Sequence, residues 1–231
     1  MVIKYNYYYN DVPGTGLCRN NLIYTSLMSE DKKSFVQWYH NDSEYHKGKN
    51  EVVDPSKMEE KWLREVTYLT HMRNKYPDLV PKILKIDLDQ KKIFLEVEGV
   101  DFWQQANCNA ENYDKVLPDW QEQMLAIIQA HKDLGLYKYS MHPSSYFIVN
   151  GKLKSINYFF CHRADEGPLV LADYQSHISS DRQKQMRDHI AKVGISWDSP
   201  EPQQILQKMC FDSFRTNFPA EFIDKAKAIY E

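Results

Sequence analysis

The feature that most constrains this 231-residue chain is Asn150-Gly151, set between Tyr146-Phe147-Ile148-Val149 and Leu153-Lys154-Ser155-Ile156. Both turn residues tolerate positive φ, so the pattern predicts a tight two-residue β-hairpin spanning about 145–157. Just upstream, Trp120, Met124, Ile127, Ile128, His131 and Leu134 share one face of a helix predicted over Pro118–Leu134, and Gly135 supplies its stop. Helix, short crossover and hairpin therefore fill Ala126–Phe160 as one unit.

The chain before this unit reads as strands around one helix. Residues 2–9, Asn21–Met28 and Lys33–Tyr39 have strand patterning, joined by a turn at Pro13-Gly14-Thr15-Gly16 and by Ser29–Lys32, which predicts an antiparallel meander. Pro55 opens a helix over 55–74, with Ser56 and Glu59 spaced as a capping box and Met58, Trp62, Val66, Leu69 and Met72 as its apolar stripe. Glu65 falls inside that stripe; on spacing alone its edge is open and the carboxylate reaches water. Val80–Asp87 and Lys92–Val97 form another hairpin, and Glu98-Gly99 closes the strand-rich part. Beyond the central hairpin, Cys161–Asp173 reads as a loop and the remainder as helices over about 180–193, 200–216 and 219–230, the later two with proline in the first turn. The fold class is α+β, divided at residues 1–98 and 99–231.

Composition narrows the function. A net charge of −3 gives no general reason to expect nucleic acid. The N-terminus has no signal-peptide pattern and no window reaches membrane-spanning length, so a soluble cytoplasmic protein is expected. Cys18, Cys108, Cys161 and Cys210 include no C-x-x-C pair, which favours free thiols over a zinc site. Nucleophile-elbow, metalloprotease, P-loop and dinucleotide motifs are absent. Abundant Tyr, Asn, Lys and Ile with few glycines are compatible with an AT-rich genome, as in phages and viruses.

Four stretches resemble the protein-kinase-like superfamily, in its aminoglycoside phosphotransferase and lipopolysaccharide kinase branch. They are W-L-R-E-V-T-Y-L at 62–69, the L-V-P-K-I-L-K-I-D and I-F-L-E-V-E-G runs, I-I-Q-A-H-K-D-L-G-L-Y, and S-M-H-P-S-S-Y-F-I-V-N-G-K-L-K-S-I-N-Y-F at 140–159. The resemblance implies a two-lobed fold: an N-lobe sheet with one helix, and a mainly helical C-lobe carrying the short hairpin. It also places Glu65 where the family's helix glutamate pairs with a strand lysine to hold nucleotide phosphates, Glu98 at the lobe junction, and Gly14-Thr15-Gly16, otherwise an ordinary turn, over the phosphates.

The catalytic positions that the resemblance implies are degenerate. The strand lysine falls on Gln37 or Trp38, the general base on Ser140, the metal-binding asparagine on Ser145, and the metal-binding aspartate on Asn157, followed by Tyr158 and Phe159. A serine takes no proton at neutral pH without its own base, and magnesium prefers carboxylate oxygens. The expectation is a pseudokinase-like binding or regulatory scaffold with no cofactor, no metal site and an unidentified protein or small-molecule partner, its cleft either binding a different ligand or filled by Trp38, Tyr158 and Phe159. The alternative is a divergent phosphotransferase using ATP and magnesium, with Glu65, Asp165 or Asp173 in altered roles; Asp165, Glu166 and Asp173 otherwise read as a solvated acidic loop. A third reading is an α+β interaction module of another fold.

Overall fold

The computed structural model describes residues 3–8, 23–40, 54–174, 180–192 and 194–231. Its N-terminal part is a five-stranded antiparallel sheet in the order β1-β2-β3-β5-β4. The strands are β1 (Tyr5–Tyr7), β2 (Tyr24–Ser29), β3 (Ser34–Tyr39), β4 (Ile83–Asp87) and β5 (Lys92–Glu96), with helix α1 (Pro55–Lys75) between β3 and β4. Side-chain alternation along β3 turns Phe35, Gln37 and Tyr39 to one face and Val36 and Trp38 to the other. The first face meets α1 and the hairpin in a core that includes Phe35, Tyr39, Trp62, Leu69, Met72, Phe147 and Phe159.

Helix α1 starts as its proline predicts, but its cap is Asp54, whose side chain accepts the Ser56 N–H at 2.8 Å, rather than a Ser56–Glu59 box. The wheel-based expectation for Glu65 also fails: the residue is 0% exposed. Its neighbours come from sequence-distant segments that helical spacing does not reveal.

The rest of the chain is mainly helical. Short helices α2 (Phe102–Gln105) and α3 (Tyr113–Val116) lead to α4 (Trp120–Asp133). Strand β6 (Leu136–Lys138) follows, then the hairpin β7 (Tyr146–Val149) and β8 (Lys152–Ser155). Gly135 takes φ 65°, the left-handed stop after α4. Asn150 and Gly151 take φ 52° and 70°, and Val149 pairs with Lys152, so the predicted tight turn is present. Trp120, Met124, Ile127, Tyr146, Leu153, Phe211 and Phe222 share the second core.

Cys161–Asp173 is not the simple loop expected. It contains β9 (Cys161–Arg163), paired with β6, a 3₁₀ turn over Ala164–Glu166, β10 (Leu169–Val170) and the start of α5 (Leu171–Tyr174). The final elements are α6 (Ser180–Ala191), β11 (Pro200–Glu201), α7 (Gln203–Ser213) and α8 (Ala220–Ile229). Pro202 and Pro219 cap α7 and α8 instead of lying in their first turns, while Pro200 pairs with Val170. No helix among the described residues is long and apolar enough to cross a membrane.

Candidate functional site

Four of the sequence-predicted positions meet at one point between the sheet and the hairpin. Gln37, 0% exposed on the inner face of β3, donates its side-chain N–H to Asn157 Oδ1 at 2.7 Å. Asn157 Nδ2 donates to Ser145 Oγ at 2.9 Å, and Ser145 Oγ lies 2.8 Å from Ser140 Oγ. Local geometry presents each group. Asn157 sits just after the hairpin with φ 65° and ψ 59°, a left-handed conformation that asparagine tolerates better than most residues. Ser145 ends the 3₁₀ turn Pro143–Ser145, which His142 caps by accepting the Ser144 N–H at 3.2 Å.

Donation runs from Gln37 to Asn157 and from Asn157 to Ser145. Either hydroxyl of the Ser145–Ser140 pair can donate to the other, and every link is uncharged.

The charged groups nearby face elsewhere. Glu65 Oε2 accepts the Phe159 backbone N–H at 2.7 Å and the Tyr39 hydroxyl at 3.3 Å; its bonds go to the hairpin exit and not to a cation on β3. Burial pushes the Glu65 carboxyl up to about 7, against the Phe159 N–H and the charge of Lys138. Lys138, 1% exposed on β6, donates to the Ser140 carbonyl and lies 5.6 Å from the Tyr158 ring centroid. Burial draws its ammonium down to about 8. Sequence reasoning missed Lys138; the signal available was a lysine in the apolar run Leu134–Tyr139, where burial demands compensation.

Magnesium does not fit these residues. The donor set at the junction is two amides and two hydroxyls already bonded to one another, with no carboxylate. Among the described residues, no three His, Cys, Asp or Glu side chains group so as to hold a metal ion. No protein-family model matches the chain, and no curated protein is significantly similar to it.

Other predicted positions lie apart. Trp38 points to the opposite face of the sheet, its ring 4.1 Å from that of His40 and with Lys92 Nζ 4.4 Å above it, so it neither replaces the strand lysine nor fills the junction. Strand parity carried this signal, because Gln37 shares its side with Phe35 and Tyr39. Tyr158 is buried and bonds His131 at 3.1 Å, while Phe159 packs 5.0 Å from Tyr24. Glu98 is exposed and accepts the Asn150 N–H at 2.9 Å, pinning the hairpin turn to the end of β5. Gly14 and Gly16 lie outside the described residues. Asp165 is exposed and paired with Arg163 at 2.7 Å, and Asp173 is exposed; neither joins the hydrogen-bonded series. Glu166 is exposed as expected of a loop acid but is also bound by Arg64 at 2.7 Å.

Replacing Glu65 by glutamine isolates its protonation. The folded-state value, about 7, lies above the ordinary value for a glutamate, so the folded protein holds the extra proton. That contribution is complete below the unfolded value and is lost as pH rises through 7. The stability of the wild type relative to Glu65→Gln should fall between pH 5 and pH 8, by up to about 3 kcal/mol. Denaturant melts of both proteins across that range check this, since other titrating groups largely cancel in the difference. A constant difference would show that Glu65 does not take up a proton on folding.

Proposed function

We propose that this chain is a two-lobed, protein-kinase-like protein, residues 1–98 and 99–231, that has exchanged phosphotransfer chemistry for a binding or regulatory scaffold role. The hydrogen-bonded series Gln37–Asn157–Ser145–Ser140 carries the reading. The residues that the resemblance assigns to the strand lysine, the metal-binding aspartate, the metal-binding asparagine and the general base are the ones that join, in that order. Where the resemblance puts a cation and two carboxylates stand amides and hydroxyls that bond one another, which holds the junction together without metal or nucleotide. The order of sheet, α1, junction, helix, crossover and hairpin agrees with the same reading. So does Glu65, which keeps a place on α1 yet bonds the hairpin exit.

A thermal-shift titration tests it. ATP with magnesium should produce no saturable rise in Tm, because a ligand that binds the folded state stabilises it by mass action. Saturable stabilisation that requires magnesium would contradict the scaffold reading and favour the divergent phosphotransferase.

A further inference from the structure

Glu166 makes a connection that the neutral series does not use. Its Oε2 accepts from Arg64 Nη1 at 2.7 Å and lies 3.0 Å from His162 Nδ1, and its Oε1 accepts the Tyr68 hydroxyl and, at 3.3 Å, the Arg163 N–H. Arg64 also donates to the Cys161 carbonyl at 3.3 Å and, through Nε, to Glu60 at 3.0 Å. Burial opposes the charge on Glu166, but hydrogen bonds from His162, Tyr68 and Arg64 outweigh it and hold the carboxyl well below the usual range. On its other side the same segment is held by α7, where Gln203 Nε2 lies 2.6 Å from the Arg163 carbonyl and 2.7 Å from that of Gly167.

We infer that Glu166 is a latch that fixes α1 against the Cys161–Gly167 segment and thereby holds Glu65 on the Phe159 N–H. Arg64 and Glu65 are adjacent on α1, so one helix touches the chain beyond the hairpin at two points: Glu65 at Phe159, and Arg64 with Tyr68 at Glu166. Glu65 meets the backbone two residues beyond Asn157, so the latch is a positioning device for the junction. It needs no ligand to close, because every donor comes from the chain itself. The latch rests on the geometry of Glu166 alone, and survives if the scaffold reading fails.

Hydrogen exchange on the full chain tests it, comparing wild type with Glu166→Ala and with Asp165→Asn as the control. Loss of the latch should speed exchange about tenfold in peptides covering residues 60–69, 157–160 and 161–167 together, and leave the β7–β8 amides unchanged. Asp165→Asn should match the wild type, because its exposed pair with Arg163 lies outside the latch. Acceleration confined to 161–167 would overturn the inference, as would the same response in both variants. Should Glu166→Ala fail to fold, Glu166→Gln and Tyr68→Phe are read by the same criterion, with a smaller change.

Discussion

A variant carrying Gln37→Lys, Ser140→Asp, Ser145→Asn and Asn157→Asp should bind ATP in a magnesium-dependent manner, while the wild type does not. The replacements return a cation and two carboxylates to positions that lie within one hydrogen-bonded series. Without metal, the variant should be less stable than the wild type, since two carboxylates crowded into a buried junction repel and lose solvation. Magnesium with ATP should reverse that loss. At a ligand concentration one hundred times Kd the stabilisation is about 2.7 kcal/mol, or a rise in Tm of roughly 5–10 °C for a chain of this size. Thermal melts with ATP alone, magnesium alone and both together separate the cases. A folded variant indifferent to all three would show that these four residues do not occupy the roles the resemblance gives them.

Asn157→Leu should lower stability by about 4 kcal/mol, roughly 10 °C in Tm. Leucine is close in size, so little volume is lost. Three things fail together. The Gln37 amide, 0% exposed, loses its acceptor, and Ser145 Oγ loses a donor. Each buried group left unsatisfied costs about 1–3 kcal/mol. The φ of 65° then adds about 1–2 kcal/mol, because leucine tolerates a left-handed backbone less well than asparagine. Asn157→Gly relieves the backbone but not the orphaned groups, and should lose clearly less than leucine does. Urea denaturation of the three proteins measures the order. Equal losses for leucine and glycine would mean that the backbone conformation carries no strain.

Much of the fold is legible in local chemistry. Asn150-Gly151 sets its turn because only a few residues accept two consecutive positive φ values, and Pro55 sets the start of α1 because proline at the first helical position forfeits no hydrogen bond. Ser140, Ser145, Asn157 and Gln37 are legible as candidates only through the resemblance. Their mutual bonding is not, since Gln37 and Asn157 lie 120 residues apart. Glu65 illustrates the limit: a helical wheel marks which residues share a face, but not that the Phe159 N–H arrives from 94 residues away to meet the carboxylate. Glu166 illustrates it again, with donors on α1 up to 102 residues distant. In both cases a charged residue whose sequence context suggests solvation is held by a partner from another element. Trp38 differs, because alternation along β3 alone separates it from Gln37.

That Gln37, Asn157, Ser145 and Ser140 bond one another and perform no phosphotransfer is tested most directly by following the γ-phosphate of labelled ATP. Purified wild-type protein is incubated with magnesium beside Ser140→Ala and Asn157→Ala. The expected result is no phosphate release or transfer above the protein-free rate in any of the three. Magnesium-dependent turnover by the wild type that either substitution abolishes would contradict it.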